Sequence, residues 1–273
     1  MEPHLPFADI ALARRLEMMD AYGEILYCRT HAELFPEAGA TFESFAGGIA
    51  AYAGSNSPMS QAFAMGLNGV VTEKEIERLE DFFYSRGSVV SIEVCPLADD
   101  SLVRILNTRG YVVSEFSNVL VRNLGSDLGS YRAAGRVRIF EAKPAEFYIW
   151  TETVARGFAD DKEVLPEMRD IALVFFHEPG VRHVLVEVDG VVAGGGAMGI
   201  NEGIADIFGT STLRDFRGRG VQSSLIRALL ETARDEGCEI ATATTQCGST
   251  SQRNFERQGF RVAYTRSKFV ATG

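Results

Sequence analysis

The six residues Arg217-Gly218-Arg219-Gly220-Val221-Gln222 have the types and the spacing to hold an anion. Two glycines let the backbone take positive φ and approach a ligand closely, while the N–H groups that open a helix, and the positive end of its dipole, attract negative charge. Arg217 and Arg219 add guanidinium donors suited to phosphate oxygens. The run follows a strand candidate, Ile204 to Thr212, and leads into a helix in which Val221, Leu225 and Leu229 recur at helical spacing. It is neither Gly-x-x-x-x-Gly-Lys-Ser/Thr nor Gly-x-Gly-x-x-Gly with an acid about 20 residues on, so it specifies neither a mononucleotide nor a dinucleotide. On spacing alone, a turn that merely joins a strand to a helix remains the alternative.

Other chemistry is sparse. Cys28, Cys95, Cys238 and Cys247 form no Cys-x-x-Cys pair, and His4, His31, His177 and His183 have no ligand spacing, so the expectation is no metal and no disulfide framework. Glu141, Glu152 and Asp160-Asp161-Lys162-Glu163 could form an acidic rim attracting a cationic amine, or simply a solvated charged loop. A net charge of −10 repels phosphate backbones and anionic lipid, so neither nucleic acid nor membrane is an expected partner. No apolar run approaches the ~20 residues of a spanning helix, and Met1-Glu2-Pro3-His4 does not begin a basic-then-apolar leader; a cytoplasmic protein is expected.

The elements that would position the loop come in two copies. A chain of 273 residues suits two domains, and Arg257-Gln258-Gly259-Phe260-Arg261-Val262 echoes Thr108-Arg109-Gly110-Tyr111-Val112-Val113 at a distance of 149 residues. At the same offset Ile240–Thr244 falls on Ser91–Cys95. Each copy reads as helix, short buried strand, helix and a final pair of strands. Ile76, Leu79 and Phe83 mark the first helix of the first copy, Gly87 and Gly237 end the equivalent helices, and Ser249 or Asp99/Asp100 starts the next. Gly48–Ala53 and Met59–Leu67 are strand candidates in the first half; Val137–Glu141 and a hairpin closed by Asp189-Gly190 are strands in the second. The fold class is mixed α/β (α+β), with domains at 1–124 and 137–273 joined by a small, polar linker at 125–136.

The run Thr212-Leu213-Arg214-Asp215-Phe216-Arg217-Gly218-Arg219-Gly220-Val221-Gln222, with Leu225 beyond it, resembles the acetyl-CoA pyrophosphate loop of the GNAT acetyltransferases, Arg/Gln-x-x-Gly-x-Gly/Ala. Arg217 and Gly220 match; Gln222 departs where the family has a small residue. The resemblance covers residues 137 to 273, and the internal repeat extends it to a degenerate N-terminal copy, a tandem arrangement similar to mycothiol synthase-like proteins. It implies two GNAT-like domains, each a mixed twisted sheet flanked by helices, and transfer of an acetyl group from acetyl-CoA to a primary amine, with a small-molecule acceptor. An inert acyl-CoA sensor is the competing reading, and a homodimer is compatible with the resemblance. In the first copy Asn68-Gly69-Val70-Val71-Thr72-Glu73 stands at the loop position without either arginine and with an added acid.

The same resemblance assigns Asp206 as the general base, Gly209 to Thr212 as the bulged segment whose backbone N–H stabilises the oxyanion, and Thr210, Ser211, Thr212, Arg217, Gly218, Arg219, Gly220, Val221, Gln222, Ser251 and Phe255 to the cofactor. Phe255 occupies the place of the family's proton-donating tyrosine. Either the thiolate leaves unaided, or Ser249, Ser251 or Tyr264 supplies the proton.

Overall fold

The computed structural model describes residues 7–55, 57–125, 128, 137–159 and 163–272. Its main elements are α1 (Ile10–Leu34), β1 (Thr41–Phe45), β2 (Gly48–Tyr52), β3 (Gln61–Phe63), α2 (Glu73–Tyr84), β4 (Ser91–Val94), α3 (Asp100–Thr108) and β5 (Val112–Asn123). There follow β6 (Val137–Glu141), α4 (Phe147–Ala159), α5 (Pro166–His177), β7 (Arg182–Val188), β8 (Val191–Asn201), β9 (Ile204–Thr212), α6 (Val221–Asp235), β10 (Ile240–Gln246), α7 (Thr250–Arg257) and β11 (Arg261–Val270). Mixed α/β architecture is therefore the fold class, and α2, β4, α3 and β5 recur at the spacing of the sequence repeat as α6, β10, α7 and β11.

The described residues fall into two compact units, one of residues 7–55, 57–119, 245–247 and 262–272, the other of residues 120–125, 128, 137–159, 163–244 and 248–261. In the N-terminal unit the strand order is β1-β2-β3-β4-β11-β5. β3 and β4 are parallel, and β11 runs antiparallel to β4 with Phe269 opposite Ile92. Ile76, Leu79 and Phe83 of α2 and Leu102 and Leu106 of α3 pack with Ile92 and Phe269 in its core.

The C-terminal unit runs β6-β7-β8-β9-β10, with the Leu120–Asn123 end of β5 beside β10. Its hairpin turns at Asp189 and Gly190, at φ 53° and 82°, the two positive values that a tight hairpin loop demands. Val221, Leu225, Leu229 and Ala233 of α6 bury against Ala205, Ile207, Ala241 and Ala243, and Phe255 and Phe260 complete this core. A second cluster, built on Trp150, Val154 and Ala172, joins α4 and α5 to Leu185 and Ala197 of the sheet.

Two local expectations change. The final pair of strands in each copy is one strand, β5 or β11, and neither run contains a glycine or proline to break it. The second change concerns where these strands go. β5 and β11 stand at equivalent places in the repeat, yet β11 lies beside β4 and the end of β5 beside β10, so each copy's closing strand completes the other copy's strand order. Most of the expected linker lies outside the described residues; Leu124 and Leu128 at its edge are buried in the C-terminal core.

Candidate functional site

β9 ends in a short turn at Arg214–Phe216, after which Arg217 is extended, Gly218 takes φ 74° and Gly220 takes φ 78° as the N-cap of α6. A Cβ on Gly218 would meet nothing within 4 Å, so its φ rather than crowding demands glycine. Among the described residues no side chain caps α6, and its first turn holds no acid. The leading N–H groups of a helix have no intrahelical acceptor. Arg217 donates from Nε to Thr212 O at 3.4 Å and from Nη2 to Gly157 O at 3.3 Å, tying the loop to α4, while the exposed Arg219 guanidinium lies 5.4 Å from the Phe216 ring centre.

The equivalent end of α2 is arranged oppositely. Thr72 Oγ1 accepts from Glu75 N at 3.3 Å, Glu75 Oε2 accepts from Thr72 N at 2.8 Å, and Val71 N donates to Ser101 Oγ at 2.8 Å. Glu73 and Glu75 place negative charge in its first turn. A capped, acidic helix start repels the anion that an open one attracts.

The strand leading to the loop carries the other predicted residues. Ala205 and Ile207 face α6, so Asp206 and Phe208 alternate onto the α4/α5 face, where Phe208 meets Phe175 edge-on at 5.0 Å. Asp206 is half-buried, opposite Gly199 of β8 and Thr242 of β10. Beyond it β9 bulges: Ala197 opposes Phe208 and Gly195 opposes Ser211, leaving Gly209 and Thr210 against Gly196 alone, with Gly209 at φ 60°. The bulge resets the alternation, turning Thr210 towards α6. Parallel pairing between β9 and β10 stops at Asp206 and Thr242 although both strands continue, so the sheet parts here into a wedge.

Ser211 Oγ and Thr212 Oγ1 are buried with no hydrogen-bond partner among the described residues. Ser211 lies against Gly157 of α4, and buried oxygens without a partner fit a site built for a polar ligand. Gln222 Nε2 donates to Thr210 Oγ1 and Ser251 Oγ, each at 3.2 Å, and Gln222 Oε1 accepts from Asn254 Nδ2 at 2.6 Å. The structure thus brings Thr210, Gln222 and Ser251 together. Val221 is buried in the α6 core, and Phe255, 2% exposed, packs edge-on against Phe260 at 5.0 Å.

Two candidate proton donors have other tasks. Ser249 Oγ caps α7 by accepting from Gln252 N at 3.1 Å. Tyr264 belongs to the N-terminal unit and donates to Glu17 Oε1 at 2.9 Å; burial and the Glu17 carboxylate push its phenol well up. Glu152 pairs with Arg169 at 2.9 Å, and Asp160, Asp161 and Lys162 lie outside the described residues. Sequence reasoning missed Asn254, whose signal is too common to read, and Gly157 of α4, whose Cβ would come within 2.5 Å of Ser211. A glycine inside a helix costs about 1 kcal/mol relative to alanine, and this one permits the close approach of α4 to β9. Among the described residues no cluster of three His, Cys, Asp or Glu could hold a metal, and no helix is long and apolar enough to cross a membrane.

Residues 142–260, from the end of β6 to the start of β11, match the model of the acetyltransferase (GNAT) family. The C-terminal half carries a GNAT acetyltransferase domain. Solved structures extend the likeness in fold. A GCN5-related N-acetyltransferase from Kribbella flavida aligns over 90% of this chain and 95% of its own, with TM-score 0.66 and 19% identity. One from Sphaerobacter thermophilus aligns over 72% of this chain and 66% of its own at TM-score 0.59 and 14% identity. A tandem GNAT protein from the clavulanic acid biosynthesis pathway aligns over 82% and 77%, at TM-score 0.58 and 14% identity. No curated protein matches the chain. The GNAT match supports acyl transfer as the general chemistry.

Proposed function

We propose that the C-terminal unit transfers the acetyl group of acetyl-CoA to a primary amine by direct attack, and that the N-terminal unit is a degenerate copy without a cofactor site. The observation that carries this reading is the contrast between two equivalent helices: α6 opens behind two positive-φ glycines with no side-chain cap among the described residues, and α2 is closed by Thr72 and Glu75. The residues fit the group. The backbone from Gly218 to Gln222 would take the pyrophosphate, with Arg219 adding charge and Arg217 fixing the loop's shape. Thr210, Ser211 and Thr212 would line the thiol arm, and Ser251 would close the far side; Phe255 would support this wall from the core.

When bound, acetyl-CoA supplies an activated thioester. In this chain Asp206 would accept the ammonium proton, directly or through a water, freeing the amine to attack. Backbone N–H groups at the Gly209–Thr210 bulge would donate to the oxygen as it gains charge. Phe255 has no proton to give, so the thiolate would depart as the anion or take a proton from Ser251. That same feature favours the alternative of an acyl-CoA sensor without turnover. Thiol release measured with acetyl-CoA across a panel of primary amines decides between them: turnover with any amine supports the transferase, and CoA binding without turnover on the whole panel supports the sensor.

A further inference from the structure

Gln222 stands where the family loop has a small residue, and its side chain is fully committed. Both amide hydrogens are donated, to Thr210 Oγ1 and Ser251 Oγ, and its oxygen accepts from Asn254. The partners come from the two sides of the wedge. Thr210 is on β9 and Gln222 on α6, which follows β9; Ser251 and Asn254 are on α7, which follows β10. The β9–β10 ladder has already ended at Asp206 and Thr242, so the two hydrogen bonds from Gln222 to Ser251 and Asn254 join the two sides where the sheet no longer does, and the third anchors Gln222 to β9.

We propose that Gln222 is an affinity-determining clasp that holds the wedge shut until CoA enters. The clasp rests on the reading of residues 217–222 as the CoA loop. A thiol arm running into the wedge must separate Gln222 from Ser251 and Asn254 before it makes its own contacts, so part of its binding free energy is offset by bonds already present. Gln222 therefore slows association and lowers affinity, unlike a residue that binds the cofactor. Arms that carry amide groups, as the pantetheine arm of CoA does, replace the lost hydrogen bonds at Ser251 and Asn254 better than a plain alkyl thiol.

The test uses the full chain with CoA as probe, following binding by calorimetry and association by stopped flow. Gln222→Ala removes the clasp, and Gln222→Met keeps its volume but removes all three hydrogen bonds. Both variants are expected to associate faster than wild type and to bind about fivefold tighter, the scale of losing a net hydrogen bond or two. Equal or weaker binding by Gln222→Ala would overturn the clasp while leaving the CoA site intact, and so would a gain by Gln222→Ala absent from Gln222→Met, which would point to bulk. Failure of wild type and every variant to bind CoA would remove the loop reading and the clasp together.

Discussion

Arg217 and Arg219 are two residues apart and look interchangeable in the sequence, but Arg217 bonds to the carbonyls of Thr212 and Gly157 and Arg219 lies exposed against Phe216. Their alanine variants should differ accordingly. Arg219→Ala should weaken CoA binding by about 1 to 3 kcal/mol, the range of a charge-assisted contact, with unchanged thermal stability. Arg217→Ala should weaken it and also lower the melting temperature, which paired calorimetry and thermal unfolding would show. Asp206→Asn should lower turnover on a responsive amine with little change in acetyl-CoA affinity, because it removes proton acceptance without touching the loop; wild-type turnover would hand the proton to another group. The loop was legible because glycine spacing reports backbone conformation directly. Asn254 and the Gln222 hydrogen bonds were not, since which polar side chains meet depends on three elements distant in sequence.

Among the elements, α6 and α2 declare themselves by one apolar face each, whereas α1 buries Leu12, Leu16 and Met19 together with Glu17 and Glu24 and so shows no apolar stripe. Its carboxylates serve an internal network. Arg266 of β11 donates from Nε to Glu17 at 2.7 Å and also contacts Asp20, while Glu24 Oε2 finds no hydrogen-bond partner among the described residues. Burial, reinforced by Asp20 and partly offset by Lys268, pushes Glu24 up from 4.5 to about 8. A carboxyl raised on folding gives its full stabilisation below pH 4.5 and loses it as pH climbs through about 8. Glu24→Gln removes that loss, so urea unfolding should show the variant gaining on wild type between those limits; a constant difference across the range would place the titration elsewhere. In α6, Leu225→Ala should cost about 2 to 5 kcal/mol by opening a cavity in the core, as read by the same method.

For the whole molecule the repeat was visible in the sequence, and the single closing strand of each copy and the destination of β5 and β11 were not. Both strands stand at the same place in their copies, and only tertiary pairing puts β11 beside β4. A fragment of residues 1–124 lacks that strand, and Arg266 with it, leaving Glu17 buried without its cation. It should show no cooperative unfolding by circular dichroism, and a sharp transition would mean that the N-terminal half closes its own sheet. The unequal helix starts make a stronger claim, because two halves of one fold should then offer a single cofactor site. Calorimetric titration of CoA into the full chain tests it most directly. One CoA per chain, abolished by Gly220→Val in a variant that keeps its circular dichroism spectrum, is the expected result; two CoA per chain, or undiminished binding by Gly220→Val, would contradict it.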